Sequence, residues 1–241
     1  MKISLNKIYS PLRQLFITIL NILIAYLVFA ICRLIFFVAN IDYFPNVGLE
    51  NFLEILHGGL VFDTAGIMYI NALYIVLMLI PLRIRENKYW QGVTKWIFVV
   101  VNSIAVIANL VDTVYFRYTN RRTTAPVFSE FSNEENLLKI FGTEILNNII
   151  LVIAGVLLIF ALWKLYVDGS HFEKDKSKKS VKELIVYYAT SLVIFVVAGV
   201  LCVGGIRGGF AHSTRPITIS NANQYVDSPI ETAIVLNTPF S

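Results

Sequence analysis

Three ionisable side chains stand inside long apolar runs: Arg33 in LVFAICRLIFFVA, Asp63 in GGLVFDTAGIM and Asp112 in AVIANLVDTVYF. A charged side chain at the centre of a bilayer costs about 2.5–3.5 kcal/mol on insertion scales, so each of these needs a partner or a polar surrounding. At 1.5 Å of rise per residue, Arg33 falls about 9 Å from the end of its run, Asp63 about 7–8 Å and Asp112 about 6 Å. The three therefore stand at similar height, with one cation for two carboxylates. Asn109 and Asn102 share a helical stripe with Asp112, and Asn71 follows Asp63 by eight residues on nearly the same face. Two chemistries fit this constellation. One is a structural polar cluster that holds helices together. The other is a polar floor under a lipid headgroup or a substrate channel.

A second set of residues is basic. Arg117, Arg121 and Arg122 follow one apolar run, and Arg207 and Arg215 follow another. Arginine presents a planar fork of donors that suits phosphate and carboxylate oxygens. This strip is read either as a lipid-headgroup or interdomain binding site, or as partners for Glu130, Glu134 and Glu135 in the same loop.

Other chemistries find no residues. No Ser-His-Asp arrangement, no His or Cys cluster with ligand spacing and no phosphate-binding glycine loop is present, so neither a catalytic centre nor a metal site is expected in this chain. His57, His171 and His212 are isolated. The closely spaced glycines from Gly204 to Gly209 follow an apolar helix, not a strand, which rules out a dinucleotide fingerprint by context. Cys32 and Cys202 both lie in apolar runs and are read as small packing residues.

The elements that must position these groups are membrane helices. Of 241 residues, 56% are hydrophobic and 15% charged, against roughly 25% charged in soluble domains. Mean hydropathy is +0.68. Five stretches reach the roughly 20 mostly apolar residues needed to cross a bilayer core, at about 15–39, 58–80, 96–116, 145–166 and 184–206. The fold class expected is all-α: a polytopic bundle of five transmembrane helices over residues 1–206. Two short interfacial helices are expected on its outer face. One is built on Leu49, Phe52, Leu53, Ile55 and Leu56 and stopped by Gly58-Gly59. The other runs from a capping box at Ser132 and Glu135 to Gly142. Residues 207–241 read as an extracellular linker too short for a core, ending as if in mid-element. The first stretch is too long for a signal-peptide core and lacks a cleavage site.

Charge sets the orientation. Lys2, Lys7, Arg13, Arg83, Arg85, Lys88, Lys95, Lys164, Lys174, Lys176, Lys178, Lys179 and Lys182, thirteen of the 20 basic residues, fall to one side of the five stretches. Six fall to the other, and Arg33 lies within a stretch. Lys and Arg mark the cytoplasmic side, which places the N-terminus inside and the C-terminus outside. The basic loop from Lys174 to Lys182 is read as a solvated loop facing lipid, and no nucleic-acid partner is expected. The inner halves of the helices carry few polar residues, which argues against a proton-relay transporter.

Three segments resemble a known family. They are HGGLVFDTAGIMYINALYIVLMLIP from His57, VDTVYFRYTNRRTTAPVF from Val111 and GGFAHSTRPI from Gly208. Together they are similar to the N-terminal membrane domain of bacterial lipoteichoic acid synthase-like proteins, of the alkaline phosphatase/sulfatase superfamily. The resemblance implies five membrane helices in the cytoplasmic membrane, then an extracellular α/β domain with a threonine nucleophile and a divalent metal, often manganese. That domain would transfer phosphoglycerol or a similar group from a phospholipid headgroup. None of its catalytic residues is in this chain, which carries no cofactor of its own. The role implied is an anchor that presents lipid at the outer face, with the bilayer and its own catalytic domain as partners. The competing readings are a transporter or flippase component and a free-standing membrane scaffold.

Overall fold

The computed structural model describes residues 10–124, 137–169, 180–210 and 216–241. Among these, all regular structure is helical. The long elements are α1 (Ser10–Ala39), α2 (Leu49–Ile70), α3 (Ala72–Leu79), α4 (Lys88–Thr119), α5 (Leu137–Asn147), α6 (Ile149–Leu165) and α7 (Val181–Arg207). A one-turn α8 (Thr232–Val235) follows.

Local chemistry fixes several of the ends. The Asn87 side chain accepts the Tyr89 amide at the start of α4, and Ser180 and Glu183 form a reciprocal capping box at the start of α7. Asn120 closes α4 and Gly208 closes α7, both in the left-handed region, at φ 56° and φ 76°. A single residue, Asn71, interrupts the helix between α2 and α3. Its side-chain amide donates to the carbonyl of Ile67 one turn back.

The helices alternate in direction. Asn40 at the end of α1 donates to the Thr113 carbonyl near the end of α4, while Asn21 near the start of α1 donates to the Tyr74 hydroxyl on α3. α1 packs on α4, α4 on α6, α2 on α7, and α3 lies against both α1 and α7. The main core joins Phe29, Ile67, Met78, Phe98 and Val106 in the middle of the bundle. A second core gathers Phe36, Phe44, Phe62 and Phe116 at the pole where the chain ends, here the C-pole. On α7 only Tyr187, Ser191, Ile194 and Gly204 are buried; the rest of its surface is largely apolar and exposed.

Among the described residues, four helices are long and apolar enough to cross a membrane: Ser10–Ala39, Leu53–Ile70, Lys88–Thr119 and Val181–Arg207. Ile149–Leu165 is apolar but shorter. The expected fourth stretch, 145–166, is divided at Asn148. That side chain turns back onto the carbonyl and carboxylate of Glu144, separating α5 from α6. The expected second stretch, 58–80, is α2 and α3 joined at Asn71.

Residues 49–57 do not form a separate helix. α2 runs unbroken through Gly58-Gly59, which serve close approach instead of termination. A Cβ at Gly58 would lie 2.5 Å from the Tyr225 ring, and one at Gly59 would lie 2.7 Å from the Arg33 guanidinium carbon. The expected capping box at Ser132 and Glu135 lies outside the described residues; within them, Leu137–Asn147 is helical.

Residues 216–241, read from sequence as a linker without a core, pack against the bundle. Ala222, Ala233, Ile234, Val235 and Leu236 are all buried in the second core. Turns at Ile219–Tyr225 and Pro229–Glu231 lead into α8, and Ser228 and Glu231 cap the second of them.

Candidate functional site: a polar cup under the C-terminal segment

Arg33 shares the buried face of α1 with Phe29 and Phe36, four residues before it and three after. Gly59 and Asp63 stand one turn apart on α2, opposite this face. The guanidinium donates to the Asp63 carboxylate at 2.5 Å and to the Gly59 carbonyl at 3.1 Å. Its other terminal nitrogen donates to the carbonyls of Ile234 and Val235. Asp63 accepts a further bond from the Asn237 amide at 2.9 Å.

Asp112, on α4, is served from a different direction. Asn120 reverses the chain, and residues 121–123 return along the helix they have just left. Arg122 Nη1 donates to Asp112 at 3.0 Å, and the Thr123 amide donates to it at 2.7 Å. Arg122 Nε donates to the Ala233 carbonyl at 2.8 Å, and its guanidinium lies over the Phe36 ring at 3.6 Å. Burial pushes the Arg122 guanidinium below its ordinary value, with Asp112 opposing the shift. The Thr238 hydroxyl donates to Asp112 at 2.8 Å. Asn109 accepts the Thr238 amide at 3.1 Å and anchors its own side-chain amide on the Ala105 carbonyl.

Among the described residues, the cup therefore holds two cations and two carboxylates. The expectation of one cation for two carboxylates is corrected by Arg122. Assigned from sequence to an external basic strip, Arg122 is 5% exposed and paired inside the bundle. Arg33, Asp63, Asp112 and Asn109 are brought together in one site, and what joins them is the C-terminal segment. Sequence reading missed this segment. Its signal was present in Asn237 and Thr238, two hydrogen-bonding side chains directly after the apolar run from Ile230 to Leu236.

The other basic residues stay at the rim. Arg121 is exposed. Arg117 is exposed as well, and donates to the Ala39 carbonyl at 3.3 Å and to Asn148 at 3.4 Å. Arg207 ends α7, and its carbonyl accepts the Ile217 amide. Arg215 lies outside the described residues, as do Glu130, Glu134 and Glu135.

Polar groups also run toward the opposite pole, where the sequence led us to expect few. Asn71 and Asn102 exchange side-chain amide bonds at 3.1 and 2.8 Å in the middle of the bundle. Nearer the opposite pole Asn21 bridges Tyr74 and the backbone of Val167. Beyond it, the fully buried Arg85 donates to the Leu79 carbonyl and the Ser191 hydroxyl, and Gln91 links the Arg85 carbonyl to Gln14. Arg85, counted from sequence among the thirteen cations to one side of the stretches, is folded inward by the turn at Arg83–Glu86. Among the described residues, no group of three or more His, Cys, Asp or Glu side chains is placed to hold a metal.

No family model, curated protein or solved structure matches this chain.

Proposed function

We propose that the chain is the membrane anchor and lipid-presenting domain of a lipoteichoic acid synthase-like phospholipid-headgroup transferase. In this reading the bundle crosses the bacterial cytoplasmic membrane five times, with the C-pole outside. α6 supplies the crossing that stands fourth in chain order, which the four longer apolar helices leave open. Its 17 residues reach about 26 Å, close to the roughly 30 Å core, and α5 continues the chain beyond Asn148. The thirteen-to-six division of basic residues supports the orientation. The divalent metal that the resemblance implies belongs to the catalytic domain, and no residue described here is assigned to it.

The observation that carries the lipid-presenting role is the exposed pair Arg117 and Arg121 at the end of α4. They stand at the pole where topogenic charge should be scarce, beside the exposed Tyr118. Arg122 leaves this role, since its donors are taken up by Asp112 and Ala233.

A transporter reading draws on the Asn21, Asn71 and Asn102 stack through the bundle. Those side chains are bonded to neighbouring helices, which suits a packed spacer better than a moving relay.

Lipid co-purification tests the proposal. The protein extracted from membranes should carry glycerophospholipid enriched over the bulk composition, and replacing Arg117 and Arg121 by Ala should lower that enrichment severalfold. Lipid in bulk proportion, unchanged by the substitutions, would leave an anchor with no lipid-presenting role.

A further inference from the structure

We propose that the two buried ion pairs serve to seat a re-entrant backbone: residues 233–238 form a latch, and Arg33 and Arg122 are the groups that hold it. This goes beyond the anchoring role and does not depend on which enzyme the bundle serves.

Depth comes first. Thr238 is bonded to Asn109, ten residues before the end of α4 and therefore about 15 Å below it along the axis. A non-helical backbone at such depth is tolerated only where protein groups satisfy it. The last carbonyls of a helix have no partner within it, and a one-turn helix such as α8 leaves nearly all of its carbonyls in that state. The two arginines meet three in a row: Arg122 takes Ala233, and Arg33 takes Ile234 and Val235. The Thr238 amide is taken by Asn109.

The carboxylates are shared in the same way. Asp63 accepts from Arg33 on one side and from the latch residue Asn237 on the other. Asp112 accepts from Arg122 and from the latch residue Thr238. Of the five bonds made by the Arg33–Asp63 pair, three go to the segment. Of the five made by the Arg122–Asp112 pair, two do, and Thr123 takes two more. Lysine, a point charge on a flexible stem, cannot reproduce the fork that spans a carboxylate and two carbonyls. The apolar face of the latch, Ala233 to Leu236, is at most 3% exposed, so seating it also closes the second core.

The test uses the full chain with Ala233→Cys as reporter, maleimide labelling in detergent and readout by peptide mass spectrometry. Ala25→Cys, at a fully buried position in the main core, reports on the bundle itself. Arg33→Lys and Arg122→Lys should each raise the labelling rate at position 233 at least tenfold and leave position 25 unchanged. Thr238→Val, which removes only a latch side chain, should raise it severalfold at position 233 alone. Continued protection at 233 in all three variants would show that apolar packing alone holds the segment. A parallel rise at position 25 would show that the pairs hold the helices instead. Either result overturns the latch.

Discussion

Arg33 has four acceptors on two separate elements, and that explains why its neighbourhood is built around a glycine. The Gly59 carbonyl must come within 3.1 Å of the guanidinium, which leaves no room for a side chain on that residue. Gly59→Ala should therefore cost about 1–3 kcal/mol, as other overpacked sites do. Gly92→Ala, where an added methyl meets nothing within 4 Å, should be neutral or slightly stabilising, since alanine is the better helix former by about 1 kcal/mol. Thermal unfolding in detergent separates the two, and equal effects would mean that the close approach is not real. That Arg33 pairs with one of two carboxylates, Asp63 or Asp112, was legible in the sequence, because an intramembrane charge demands a partner and few were available; the structure selects Asp63. Arg122 was not legible. It sits in a polar stretch outside any apolar run, and only the left-handed turn at Asn120 brings it back to Asp112.

Helices α2 and α3 meet at a polar residue in the middle of an apolar run, and the same residue ties them to α4. The Asn71 amide satisfies a carbonyl of its own helix and also exchanges bonds with Asn102, so the interruption and the helix contact have one cause. Asn71→Leu should cost about 1–3 kcal/mol by stranding the buried Asn102 amide, and Asn102→Leu should do the same to Asn71. The double variant should recover much of the loss, because neither amide is then left without its partner. A thermal double-mutant cycle with purely additive losses would contradict this. The run itself was plain from composition, but its division was not. An asparagine inside an apolar helix can bond back to its own turn or across to a neighbour, and only its partner on a distant helix reveals which. The glycine pair before it misled for a related reason. Glycine marks a helix end and a close approach alike, and only the arrival of Arg33 and Tyr225 from elsewhere in the chain distinguishes the two.

At the scale of the molecule, the bundle has two polar poles of different character. The opposite pole buries Arg85 among carbonyls, hydroxyls and amides, while the C-pole buries two ion pairs and the end of the chain. Apolar periodicity was enough to expect an all-helical bundle, and charge asymmetry supplies the orientation proposed for it. They could not reveal that residues 216–241 fold back. Their short apolar run finds its core on α1, α2 and α4, and no local pattern encodes that meeting. The proposed role depends above all on the direction in which the C-pole faces, since lipid presentation to an extracellular domain requires it to be outside. Impermeant thiol labelling of intact bacterial cells decides this with Arg121→Cys and Lys88→Cys, both exposed positions at opposite poles. The account predicts labelling at position 121 in intact cells and at position 88 only after permeabilisation. Labelling of position 88 from outside, with position 121 protected until the membrane is opened, would contradict it.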